Sequence, residues 1–167
     1  MHFCDSVPIP LVATLAQERF PALSPDGKWL AYSTDERGRE EVYMQPFPNV
    51  SGGKWPVSDA GGSEPQWSHS GKELFFINAA GDMVAATISA SPAFSVAARQ
   101  VLFKPPTGVY RTISHQTYDV APDDRRFLMI RGAGASATDA DTRGVPSNIV
   151  VVLNWIEELK ARMHAKR

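Results

Sequence analysis

Apolar and polar residues alternate in short runs along most of this chain, and a turn signal closes each run. Trp29-Leu-Ala-Tyr32, Leu74-Phe-Phe-Ile77 and Phe127-Leu-Met-Ile130 are apolar at successive positions, the pattern of strands covered on both faces. Each follows a tight-turn tetrapeptide: Ser24-Pro-Asp-Gly27, Ser68-His-Ser-Gly71 or Ala121-Pro-Asp-Asp124. Proline at the second turn position presets φ, and glycine or aspartate tolerates the left-handed conformation that the turn demands. A first strand ends just before each turn, at Leu23, Trp67 or Val120. Three strand–turn–strand units therefore predict three hairpins, and helical periodicity is nearly absent until the end of the chain.

The hairpins form an internal repeat. Residues 21–33, 65–77 and 118–130 align without gaps, and the equivalent positions Ser24, Ser68 and Ala121 are 44 and 53 residues apart. A period of roughly 40–50 residues is that of four-stranded propeller blades. Further strands are predicted at 41–47 and 54–58 in the first blade, 83–89 and 98–103 in the second, and 148–154 in the third. The interval 132–147 is rich in Gly, Ala, Ser, Thr and Asp and reads as a loop. Residues 155–163 are predicted to form a short amphipathic helix capped by Asn154. The fold class is all-β: a partial β-propeller of about three four-stranded blades with a short C-terminal helix. Residues 1–17 make an N-terminal segment with an orphan strand at 7–16. Residues 18–154 hold the blades, at about 18–58, 63–103 and 115–154, the last without its fourth strand. Residues 155–167 are helix and tail.

Charge narrows the class of partner. Seventeen basic and eighteen acidic residues leave a net charge of −1, whereas nucleic-acid and anionic-membrane binders concentrate a basic face. The apolar run 149–153 is far too short to span a bilayer. No Lys or Arg precedes the N-terminal apolar stretch, which Pro8 and Pro10 break. That is no signal peptide, and a cytoplasmic location is expected. Cys4 is the single cysteine, so an intrachain disulfide cannot form.

Motifs for known chemistries are missing. The chain has no G-x-S-x-G elbow, no H-E-x-x-H and no C-x-x-C, and His2, His69, His115 and His164 lack metal-ligand spacing. Asp139-Ala-Asp141-Thr-Arg143-Gly144 supplies three positions of an EF-type calcium loop, but position twelve is Val150. It reads first as a solvated loop and second as a weak metal candidate. Asp26, Asp123 and Asp124 read as turn-formers. A polar collar is the stronger candidate. Counting back from the aligned turns places Glu18, Arg19, Ser63, Glu64, His115 and Gln116 at equivalent strand starts near one channel mouth. Carboxylates facing each other there would bind a divalent cation or share a proton; otherwise they are solvated strand starts. Trp29, Trp67, Phe75, Phe76, Phe127 and Met129 are expected in the core, and Trp55, Tyr110 and Arg111 are candidate contact anchors.

At these residues the sequence resembles the TolB-like (WD-type) propeller repeat. The matching text is LSPDGKWLAYSTDERGREEVYMQPFP, GGKWPVSDAGGSEPQWSHSGKELFF, YDVAPDDRRFLMI and IVVVLNWIEELK. More narrowly, it is similar to the C-terminal propeller region of bacterial serine/threonine kinase-like proteins, over about residues 18–162. No Gly-rich phosphate loop or HRD-type loop is present, so kinase activity is not implied. The resemblance implies a propeller and a ligand- or protein-binding role. Relatives of this propeller usually face the periplasm, against the cytoplasmic reading.

An open wedge of three blades exposes two blade faces. The expected remedy is a homodimer that closes a six-bladed ring, with strand 7–16 of each chain completing the last blade of the other. Two functions follow. One is an interaction module that binds a protein, peptide or small ligand at the channel mouth. The alternative is a calcium-dependent lactonase or esterase, by analogy of fold with gluconolactonase- or paraoxonase-like propellers. In it Glu18 and Glu64 would hold the ion, and Glu64 and His115 are the catalytic candidates.

Overall fold

A computed structural model describes residues 10–89, 94–109, 111–112, 114–132 and the backbone of 147–152. Three antiparallel sheets follow one another along the chain. The first contains β1 (Glu18–Leu23), β2 (Trp29–Thr34), β3 (Glu41–Pro46) and β4 (Trp55–Pro56), in that order. The second contains β5 (Gly62–Trp67), β6 (Glu73–Asn78), β7 (Met83–Ser89) and β8 (Ser95–Phe103). The third contains β9 (Tyr118–Val120), β10 (Phe127–Gly132) and β11 (Ser147–Val152). These are the predicted all-β blades, the third with three strands among the described residues. The expected helix at 155–163 lies outside them.

The turn between the first and second strands of each blade is built by the tetrapeptide read from the sequence. The Gly27, Gly71 and Asp124 amides donate to the carbonyls of Ser24, Ser68 and Ala121 at 2.8, 3.0 and 2.9 Å. All three fourth-position residues are left-handed, at φ +69°, +69° and +56°, as a type I turn followed by a left-handed residue requires. In the first two turns the serine Oγ reinforces the closure. It accepts from the Trp29 amide at 3.0 Å, and at the second turn from the Glu73 amide at 3.1 Å.

Alternation along the second strand of each blade sets the packing. Leu74 and Phe76 join Ala31, Val42, Met44 and Trp67 in a cluster between blades one and two. Phe75 and Ile77 join Tyr118, Val120, Phe127 and Met129 in a cluster between blades two and three. Successive β-strand residues point to opposite faces, so β6 is apolar throughout because it is covered twice. Phe75 and Phe127 meet edge-to-face, 5.0 Å apart at 88°. Trp67, Phe75, Phe76, Phe127 and Met129 are buried as expected. Trp29 is only partly buried and stands at the rim, where it meets Trp55 and Phe94 with centroids 5.8 and 5.1 Å away. Trp55 is likewise only partly buried, its ring against Trp29 and Phe94.

The N-terminal segment carries no strand among its described residues. Residues 10–16 make bends and carry no strand; residues 7–9 lie outside the described part. Pro10 has no amide to give a ladder. Leu11 and Val12 lie instead against the outer face of blade one.

Candidate functional site

The connections β2–β3, β4–β5, β6–β7 and β8–β9 gather at one end of the wedge, where the first strands begin. Two of those strands carry a bulge there. Register slips between Arg19 and Ala22 in β1 and between Ser63 and Gln66 in β5, with Phe20 and Glu64 at φ +54° and +56°. Pairing with the second strand makes Glu18 equivalent to Gly62, and Arg19 to Ser63. The true counterpart of Glu64 is Phe20. The six-residue collar is thus out of register by one position, and its charges do not form a ring.

Glu64 is the residue around which the site is built. Its side chain is 1% exposed, and its Oε2 accepts from both the amide and the hydroxyl of Thr117, each at 2.6 Å. Its backbone carbonyl accepts from the Tyr118 hydroxyl at 2.7 Å and the Gln116 amide nitrogen at 3.1 Å. Four bonds therefore tie β5 to the start of β9. Burial pushes the Glu64 carboxyl above its ordinary pKa; the two Thr117 bonds and the Arg111 charge oppose that shift. Burial also holds the Tyr118 phenol well above its usual range.

The other predicted residues go elsewhere. Glu18 accepts from the Thr14 hydroxyl at 2.5 Å and its amide at 3.3 Å. Arg19 bonds Gln17 and lies 3.9 Å from Glu40. Ser63 is buried and lines a recess of about 160 Å³ with Arg39 and Arg111. His115 is exposed, its Nδ1 3.1 Å from the Ser114 hydroxyl. Among the described residues no three His, Cys, Asp or Glu side chains gather to hold a metal ion. Glu18, Glu64 and His115 are thus not gathered into one group within the described residues of the chain. Asp139, Asp141 and Tyr110 lie outside the described residues. Sequence reading missed Thr117, whose partner is 53 positions away, and Lys104, which sits in a proline-rich loop without any motif.

The fold has clear counterparts. TolB from Acinetobacter baumannii superposes with a TM-score of 0.54 at 13% identity, covering 81% of this chain and 30% of its own. An oligogalacturonate lyase from Vibrio parahaemolyticus gives 0.61 at 11% identity, covering 86% and 40%. The Pyrococcus horikoshii acylaminoacyl peptidase gives 0.55 at 13%, covering 84% and 23%. The fold is that of part of a TolB-like β-propeller. The chain spans less than half the length of each of these proteins. No protein-family model and no curated protein matches it by sequence. Among the described residues no helix is long and apolar enough to cross a membrane.

Proposed function

We propose that this chain is an interaction module that binds through its blade faces, and that its partner is a second copy closing a six-bladed ring. One observation carries the reading. The outer face of blade one holds an open groove of about 580 Å³ lined by Leu11, Val12, Pro21, Leu23, Leu30 and Phe47. Leu30 occupies the strand position that Leu74 and Phe127 hold against a preceding blade. By the same repeat Leu128 corresponds to Ala31 and Phe75, which face a following blade. Leu23 and Leu128 are 50% and 40% exposed. The two ends of the wedge are thus the two halves of one blade-on-blade contact, and a two-fold axis would satisfy both at once.

Light scattering tests it. The expected mass is that of two chains, falling to one when Leu23→Glu charges the groove. A single-chain mass for the unaltered protein at micromolar concentration overturns the ring. The internal bonds of Glu64 favour binding over hydrolysis. A stoichiometric calcium isotherm that disappears in Glu64→Gln would turn the reading to the metal-dependent hydrolase instead.

A further inference from the structure

Several cations of the described residues sit beside a carboxylate: Lys28 has Asp26, Arg39 has Glu41, Lys54 has Glu36 and Arg126 has Asp123. Lys104 and Arg111 form no such ion pair among the described residues, and both line one recess of about 190 Å³ at the mouth between blades two and three. No acidic residue lines that recess. Its walls are otherwise largely apolar, from Ile77, Pro105, Val109 and Met129. Arg111 is seated there by a missing side chain: a Cβ on Gly81 would lie 2.9 Å from its Nη1. Glu64 stands behind the site and feels the Arg111 charge, but its carboxylate is committed to Thr117.

We propose that this recess binds a small carboxylate with a short apolar body, its anion held between Arg111 and Lys104. A guanidinium offers a planar fork that matches a carboxylate, and an ammonium adds a point charge. The apolar walls select a compact hydrocarbon group beside that anion. A free aliphatic acid and the C-terminus of a peptide share this chemistry. The site deepens the binding-module reading and does not depend on ring closure.

The experiment is an amide-resolved NMR titration of the full chain with N-acetylalanine, with its uncharged amide analogue, and with isobutyrate. Both acids should shift the Gly81, Val109 and Thr117 signals with a dissociation constant on the order of millimolar, and the amide analogue should not. Tighter binding of N-acetylalanine than of isobutyrate identifies a peptide terminus as the source; the reverse identifies a free acid. Arg111→Met should weaken binding by about tenfold or more, as loss of a charge-assisted fork requires. Lys104→Met, on an exposed loop, supplies the second variant should the first disturb the mouth. Equal response to acid and amide, no response to any probe, or binding indifferent to both substitutions overturns the proposal. The mass of the same samples reports ring closure separately, so either idea can fail alone.

Discussion

Asp124 in the third turn caps the turn of the neighbouring blade at His69. One carboxylate oxygen accepts from the His69 amide at 2.7 Å and lies 3.0 Å from its Nδ1; the other accepts from the Ser70 amide at 3.0 Å. The same junction between blades one and two is made differently. There Gly71 takes the place of Asp124, and Pro25 takes the place of His69. A Cβ on Gly71 would meet the Pro25 ring at 3.6 Å, and proline has no amide to cap. Acid facing amide and glycine facing proline are two self-consistent solutions to one contact.

Breaking either half of the His69–Asp124 pair should therefore cost more than exchanging the pair. Asp124→Ala removes the acceptor from two amides and puts alanine at positive φ. It is expected to destabilise by about 1.5–3 kcal/mol, the worth of hydrogen bonds to a charged group. His69→Pro should also destabilise, by removing one donor. The double variant His69→Pro/Asp124→Gly copies the first junction and should be more stable than the two single losses sum to. Urea unfolding of the four proteins measures the coupling; strict additivity would show that the two residues do not act together.

The two carboxylates at the junction of blades two and three should give opposite pH responses. Burial raises the Asp124 pKa, but the His69 and Ser70 bonds outweigh it and leave the group below its ordinary value. Its stabilisation is present above the unfolded-state pKa and is lost as pH falls through the folded one. Glu64 is shifted upward, chiefly by burial. Its contribution is complete below the unfolded-state pKa and is lost as pH rises through the folded one. Glu64→Gln keeps an oxygen for both Thr117 donors without the charge. It should flatten the decline that sets in as pH rises from the unfolded-state pKa through the folded one, and leave the protein above that range as stable or more so. Glu64→Ala strands two buried donors and should cost about 2–4 kcal/mol by denaturant midpoint. If Glu64→Gln is as damaging as Glu64→Ala, the charge itself is what the junction needs.

These contacts show what the sequence made legible. Turns, strand order and core aromatics depend on residues close together: Ser24 with Gly27, or Phe75 and Phe76 on one strand. The strand Met83–Ser89 coincides with its predicted bounds. Counting along the chain slipped by one position at Glu64: the ungapped offset of 44 residues already pairs it with Phe20, and both residues sit in the same bulge of their blades. Of the expected strand at 7–16 the described residues 10–16 carry no strand within the chain, and Pro10 brings no amide to a ladder. The partnership of Asp124 with His69 did leave a trace. The third turn lacks the glycine and the second lacks the proline, and the two departures are complementary.

Glycines of the two kinds in this fold should respond differently to alanine. Gly27 has φ +69° and open space where a Cβ would stand, so Gly27→Ala costs only backbone strain, about 1–2 kcal/mol. Gly62 has ordinary φ, but a Cβ there would lie 2.9 Å from both Phe76 Cδ2 and Ser58 Cβ. Gly62→Ala must push the inner strand off blade one, at about 1–3 kcal/mol. Gly27→Asn should recover most of the loss at the first site, since asparagine tolerates the left-handed region. Gly62→Asn should be worse than Gly62→Ala. Thermal unfolding of the four variants separates conformation from crowding.

The two-sided burial of β6 is the feature on which the blade stack stands, and it can be tested by choosing partners. Phe75 and Phe76 are adjacent and both essentially inaccessible, so truncating either to alanine should cost about 3–5 kcal/mol. What differs is the neighbour each one loses. Phe75 meets Phe127 of blade three edge-to-face, whereas Phe76 belongs to the cluster with Val42, Met44 and Val57 of blade one. A double-mutant cycle between Phe75→Leu and Phe127→Leu should give a coupling of about 0.5–1.5 kcal/mol, the worth of an aromatic pair. The cycle between Phe76→Leu and Phe127→Leu should give none beyond error, because the sheet stands between them. Leucine is used so that each variant keeps enough core to fold. Coupling in both cycles would mean that the two rings share one cluster, and the sheets would then not be stacked as separate blades.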